Sequence, residues 1–260
     1  MSHSLRLKLC LLVVCSAFVV LVGSAMAITG GNVDGDGHPA VGALIAEIPG
    51  VGFRPLCSGT LVSPTVFLTA GHCTAGLPAL GVTRVWVSFA PQLGPTNDLA
   101  GGSYVTDPGY GHDQADLHDL AVVLLDSPVT DVAPAALPTV GLLDERALRG
   151  QLFTNVGYGA VGRETGGGPA RFVYDLQRRV SLAPLSALTR SSLKLQGNLS
   201  ATGLGGVCFG DSGGPAFLGG SATIAAITSG GNQACAGPSD AYRLDTVAAR
   251  RFLGRFMLLP

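Results

Sequence analysis

What most constrains this chain is a series of short apolar, β-branched runs cut apart by turn residues. The runs are Val41–Glu47, Ser58–Val62, Val66–Ala70, Arg84–Ala90 and Leu120–Leu125, then Phe153–Gly157, Phe172–Val180, Pro215–Leu218, Ile224–Ser229 and Ala241–Leu244, with Gly, Pro, Asn and Asp between them. Short strands separated by turn signals predict an all-β sandwich or barrel. Composition agrees, because 38 glycines supply turns and bulges, and 47% apolar with 13% charged residues excludes a disordered chain. Asp131–Gly141, with Pro134 and Pro138, reads as the connection between two halves. Residues 245–257 change to helical spacing and predict a short C-terminal helix, capped by Asp245 or Thr246. Gly162–Gly168 reads as a mobile loop, and no tandem repeat is present.

The first 27 residues follow a different rule. Arg6 and Lys8 precede an apolar stretch, Leu9–Val22, which gives way to small residues ending in Ala25-Met26-Ala27. That order describes a secretory signal peptide over residues 1–27, and the stretch is short of the roughly 20 residues of a membrane span. A secreted protein with no membrane attachment in its mature form is expected. Cys10 and Cys15 leave with the signal, and Cys57, Cys73, Cys208 and Cys235 remain. An even number in an exported chain predicts two disulfides among three connectivities, of which Cys57–Cys73 and Cys208–Cys235 is the local one. No C-x-x-C pair exists, which argues against zinc. The formal net charge of −1 gives no reason to expect nucleic acid as a partner.

Three strings carry chemistry: "LTAGHC" (Leu68–Cys73), "DLAVVLL" (Asp119–Leu125) and "CFGDSGGPAF" (Cys208–Phe217). A serine hydroxyl is a weak nucleophile and needs a base. A neutral histidine can take its proton, and an aspartate behind the histidine fixes the tautomer and stabilises the imidazolium. Glycines around the serine let successive backbone N–H groups converge on a developing oxyanion. Each string alone is modest evidence, and all three in the order His, Asp, Ser are far more specific.

With these strings the chain resembles the trypsin/chymotrypsin family of serine proteases, from Ile28 to about Gly254. "GDSGGP" matches the serine motif unchanged, Gly71 stands where Ala is usual in the histidine motif, and "VGYG" (Val156–Gly159) matches the start of the second barrel with Tyr158 for the common Trp. The resemblance implies two antiparallel β-barrels, the first over residues 28–135 and the second over 140–245, with the active site between them. It implies an endopeptidase acting on protein or peptide substrates, without cofactor or metal, open to protein protease inhibitors and monomeric. His72 would be the base, Asp119 its orienter and Ser212 the nucleophile, with Gly210 and Ser212 forming the oxyanion hole. Cys57–Cys73 would pin the histidine loop, and Cys208–Cys235 would join two walls of the specificity pocket.

The resemblance also places Gly206 at the pocket base, Ser229–Gly231 along the substrate backbone, and Gly230 where a bulky aromatic is usual. Aligned on Tyr242, Asp240 falls where a residue faces the pocket. That reading favours Arg or Lys, broadened to large apolar side chains; the alternative is that Asp240 turns away and leaves a neutral pocket. In the family a new amino terminus pairs with the acid before the nucleophile, which would join Ile28 to Asp211. Signal cleavage after Ala27 would then activate the enzyme, whereas cleavage after Ala25 would leave Met26-Ala27 in the way.

Weaker signals read blandly. "HDQADLHD" (His112–Asp119) is a polar loop rather than a metal site once Asp119 is assigned. "DGDGH" (Asp34–His38) is a turn without the distal Glu of a calcium loop. Asn198–Ser200 is a glycosylation sequon. The rival from another class is a catalytically silent, protease-like binding protein. An esterase reading of "GDSGG" fails, because His comes first in the chain and strand-forming sequence follows the serine.

Overall fold

A computed structural model describes residues 27–144, 148, 150–164 and 171–260. The expected signal peptide (except Ala27) and residues 165–168 of the expected Gly162–Gly168 loop lie outside the described residues, whereas Gly162–Glu164 at the start of that loop is a strand.

The chain folds into two closed six-stranded antiparallel barrels. The first uses β2 (Val41–Ile48), β3 (Gly52–Ser63), β4 (Val66–Thr69), β5 (Val85–Ser88), β6 (Ala100–Thr106) and β7 (Ala121–Leu125), in the ring order β2-β3-β4-β7-β6-β5. The second uses β8 (Leu152–Gly157), β11 (Arg179–Leu188), β12 (Ser192–Gly197), β13 (Pro215–Leu218), β14 (Ile224–Gly231) and β15 (Gly237–Arg243). Its ring closes because β11 pairs with both β12 and β8. Closure removes the edge strands that would otherwise invite aggregation. Between β8 and β11 a small hairpin forms from β9 (Gly162–Glu164) and β10 (Arg171–Val173).

The expected runs fill the first barrel and part of the second, where Ala183, Leu193 and Leu195 come from outside them. Val41, Leu61, Phe67, Leu68, Val85, Val87 and Val122 are buried in the first, and Phe153, Ala183, Leu193, Leu195, Ala216 and Ala226 in the second. The N-terminal strand β1 (Asn32–Val33) precedes the first barrel in sequence but pairs with Arg179 and Val180 of the second. The expected run Phe172–Val180 divides: Arg171–Val173 belongs to the hairpin, residues 174–178 form a strap between the barrels, and β11 starts at Arg179. Strands β6 and β12 were not among the expected runs, and each completes a ring.

The C-terminal helix spans Val247–Leu253. Thr246 is its cap, accepting from Ala249 N at 3.1 Å, a contact of about 1 kcal/mol. Asp245 is used differently: it is buried, pairs with Arg243 at 2.9 Å and accepts from Leu143 N. Phe252 and Leu253 bury the helix's apolar stripe against the first core.

Candidate active site

His72 sits in a 3-10 turn, Gly71–Cys73, immediately after β4. The Cys57–Cys73 disulfide ties that turn to β3, with a Cα–Cα separation of 6.2 Å. Asp119 lies just before β7 and is 2% exposed. Three donors converge on its carboxylate: His72 N at 2.8 Å, His72 Nδ1 at 2.9 Å, and Ser229 Oγ. Because an ionised carboxylate can only accept, Nδ1 carries the proton and Nε2 is the basic atom of the ring. Ser229 reaches Asp119 from a bulge, where β14 shifts register against β15 between Thr228 and Gly230. A bulge re-aims a side chain that a regular strand would point elsewhere.

His72 and Ser212 line the same cavity of about 290 Å³, together with Val207, Cys208, Phe209, Thr228, Ser229, Gly230, Gly231, Asn232 and Cys235. The Cys208–Cys235 disulfide therefore joins two of its walls. Apart from His72 the lining has no ionisable side chain. Ser212 is set in a tight turn in which Gly210 (φ 99°) and Gly213 (φ 77°) adopt left-handed conformations open mainly to glycine. A residue missed by sequence reasoning holds this turn. Ser58, wholly buried on β3, donates from N to Ser212 O and from Oγ to Gly210 O, each at 2.8 Å. The same Oγ accepts from Tyr158 N at 2.9 Å. A serine in a strand run carries no local sign of this; only the closeness of the two barrels reveals it.

Asp211 is buried beside the turn. Its Oδ1 accepts from Gly159 N and its Oδ2 from Cys208 N, both at 2.8 Å. A Cβ on Gly157 or Gly159 would collide with this carboxylate, which explains both glycines of "VGYG". Burial pushes its pKa up to about 7, with the two amide donors offsetting only part of the penalty. No cation pairs with it among the described residues. Ile28 is also fully buried, at φ 41° and ψ 105°, and Thr29 after it bridges to Gly206.

Two expected pocket residues stand elsewhere. Asp240 is not in the cavity: Lys194 Nζ donates to its Oδ1 at 2.6 Å, and both side chains are about half exposed. Alternation along β15 is the cause, since Ser239 and Ala241 turn inward and Asp240 between them turns out. Gly206 also lies off the lining, packed so closely on Gly197 that a Cβ would sit 2.5 Å from its carbonyl oxygen. In the polar loop, Asp116 accepts from Tyr242 Oη at 2.7 Å. Among the described residues the one close group of ligand-type side chains is Cys57, His72 and Cys73, and its sulfurs are joined to each other. Disulfide sulfurs are not thiolates, so this group has no metal-binding set.

A protein-family model described as Trypsin matches residues 28–248. The chain belongs to the trypsin family. It is 31% identical to brachyurin of Leptuca pugilator over 172 residues, covering 61% of this chain and 69% of that protein. It is 30% identical to a snake venom serine protease of Crotalus durissus durissus over 203 residues, covering 71% of each. A solved structure of HL collagenase aligns with a TM-score of 0.61 at 17% identity, covering 84% of this chain and 93% of that one, a likeness of fold. The trypsin-family chain is thus a serine endopeptidase of the trypsin/chymotrypsin type.

Proposed function

We propose that the protein is a secreted endopeptidase that cleaves peptide bonds through His72, Asp119 and Ser212. Supporting this above all is one observation: His72 Nδ1 lies 2.9 Å from Asp119, and His72 and Ser212 line one cavity. His72 Nε2 takes the proton as Ser212 Oγ attacks the substrate carbonyl, and the N–H groups of Gly210 and Ser212 receive the oxyanion. The imidazolium then protonates the leaving amine. Water, activated by the same nitrogen, hydrolyses the acyl-enzyme.

The uncharged lining supports a side chain without charge before the scissile bond, rather than Arg or Lys. A hydrocarbon side chain gains by leaving water there, whereas a buried cation would lack a partner. Ser229–Gly231 would pair with the substrate backbone as an added strand. The buried, unpaired Asp211 supports activation by a cut before Ile28: the new ammonium would neutralise the carboxylate and fix the Gly210–Ser212 turn. A signal peptide over residues 1–27 would deliver that cut during export. Protein inhibitors and a monomeric state follow from the family likeness.

The experiment is reaction of the secreted protein with a fluorophosphonate, with mass spectrometry of the adduct. The expected result is one adduct on Ser212, lost in Ser212→Ala together with peptidase activity. Absence of an adduct, or hydrolysis surviving in Ser212→Ala, refutes the reading and favours a silent binding protein.

A further inference from the structure

The end of the second barrel that holds Asp211 contains another polar group without partners. Asn155, on β8, is 1% exposed, and neither its Oδ1 nor its Nδ2 finds a hydrogen bond among the described residues. Ser181, directly across the strand pair on β11, is buried with its Oγ in the same condition. Side chains two apart on a strand share a face. Asn155 therefore points into the barrel with Phe153, part of its apolar core, and with Gly157, where a Cβ would overlap Asp211 Oδ1. Asn155 and Gly157 stand roughly 7 Å apart along β8, so the amide lies about one side-chain length from the Asp211 carboxylate.

Burying an amide is costly unless its ends are paired, and nearly all buried polar groups are paired. An amide and a hydroxyl without partners, beside a carboxylate without a cation, make a site for a polar, cationic occupant. Residues Ala27–Gly30 pack against β11, the strand of Ser181, and Thr29 Oγ1 is also buried without a partner. The segment that would carry a new amino terminus thus already lies beside this site.

We infer that Asn155 is a positioning residue for activation: its Oδ1 accepts from the ammonium of Ile28, as a second acceptor beside Asp211, while its Nδ2 donates to Ser181 Oγ. The inference rests on the proposed cut before Ile28. An ammonium has three donors and no acceptor. The Asp211 carboxylate already accepts from two amides, and a buried donor left idle carries a desolvation penalty. The other charged groups around the segment are committed or outside. Arg179 on β11 is paired with Asp175, and Arg163 and Glu164 on β9 are exposed. Residues 198–207, which Thr29 meets at Gly206, have no titratable side chain. Tyr174, packed on Gly210, has its pKa raised by burial and then by Asp211. Asn155 supplies the neutral acceptor inside the barrel.

The test uses chains starting at Ile28 and at Met26, and follows kcat/KM for one peptide from neutral to alkaline pH. An acceptor favours the charged ammonium and raises its pKa, so activity persists further up in pH. The expected result is an alkaline midpoint in the Ile28 chain that Asn155→Leu lowers by about one pH unit, with activity at neutral pH little changed. Asn155→Asp, which keeps the acceptor and adds charge, raises it. In the Met26 chain, Asn155→Leu removes an amide without partners and should raise the denaturant midpoint of unfolding. An alkaline midpoint unmoved by Asn155→Leu overturns the role of Asn155 and leaves the Asp211 pairing intact. Equal destabilisation of both chains with an unmoved midpoint makes Asn155 merely structural and also overturns it. A wild-type Ile28 chain that is no more active than the Met26 chain overturns the pairing itself. Should Asn155→Leu fail to fold, Asn155→Asp decides, and a midpoint that stays or falls overturns the inference.

Discussion

Two aspartates with buried side chains have opposite fates. Asp34 is held by Arg178, with Nε at 2.9 Å, and by His38, whose N and Nδ1 both reach it. Arg178 is 1% exposed, yet its remaining donors reach Gly35 O, Val41 O, Phe89 O and Tyr158 Oη. These contacts join the N-terminal segment, the first barrel and the strap. Burial raises the Asp34 pKa, but the hydrogen bonds and charges of His38 and Arg178 outweigh it and the net shift is downward. Asp211 is the more deeply buried and has two amide donors but no cation among the described residues, and its pKa rises to about 7. The difference teaches which part of the fold is complete. Asp34 receives its countercharge from within the chain, whereas Asp211 has no cation among the described residues, and in the proposed activation the ammonium of Ile28 would supply it.

The strongest way to break the comparison is to make Asp34 resemble Asp211. Arg178→Met should destabilise by about 3–5 kcal/mol, because it strands a buried carboxylate between two barrels. Denaturant unfolding at neutral pH checks this, and Arg178→Met/Asp34→Leu should recover much of the loss. If the single and double variants are equally unstable, packing rather than charge holds the strap.

A comparable effect sharpens the contrast through pH. In the chain continuous through Ile28, the folded pKa of Asp211 exceeds its ordinary 3.8. The folded state therefore binds the proton more tightly, so Asp211's contribution is full below pH 4 and is lost as pH rises to about 7, by roughly 4 kcal/mol. Asp211→Asn should remove that decline. Asp34, with a lowered value, behaves oppositely: its contribution is full above pH 4 and is lost only as pH falls below that. Unfolding free energies from pH 3 to 8 distinguish the two limbs, and a continuous chain with no decline between pH 4 and 7 rejects the assignment.

The smallest effect concerns Ser58, which steadies the turn beside Asp211 from the first barrel. Ser58→Ala leaves Tyr158 N without its acceptor and frees Gly210 O, a loss of about 1–2 kcal/mol. Expressed in the transition state, this lowers kcat about tenfold with KM little changed. Steady-state kinetics on one peptide checks it; a rise in KM alone would mean that Ser58 acts on substrate binding.

Much of this was legible because strands and glycine turns are written locally. Val66–Thr69, Ala121–Leu125 and Ile224–Ser229 are β-branched runs that became buried strands, and the candidate residues flank strands, His72 after one and Asp119 and Ser212 before others. The alternation of Leu193 and Leu195 with polar neighbours also marks β12, and counting period-two matches would have found it. Strand β6 was hidden by composition, since "AGGSYVT" looks like a loop. Gly102 is needed there because a Cβ would sit 2.5 Å from Leu124 O. Asp240 was misplaced for a different reason. A shift of one residue in a strand exchanges its faces, and an alignment on Tyr242 cannot fix that register. Asp34 looked like a turn residue because its partner, Arg178, is far away in sequence, and no local pattern announces such a pair.

The central claim is that Asp211 waits for the ammonium of Ile28, and that their pairing sets the turn carrying Ser212. It is tested most directly by preparing two chains, one starting at Ile28 and one at Met26, and measuring the rate of fluorophosphonate addition to Ser212 in each at neutral pH. The account predicts rapid addition in the chain starting at Ile28 and addition slower by at least about tenfold in the other, the expected consequence of an unformed oxyanion site. Equal rates in the two chains would contradict it.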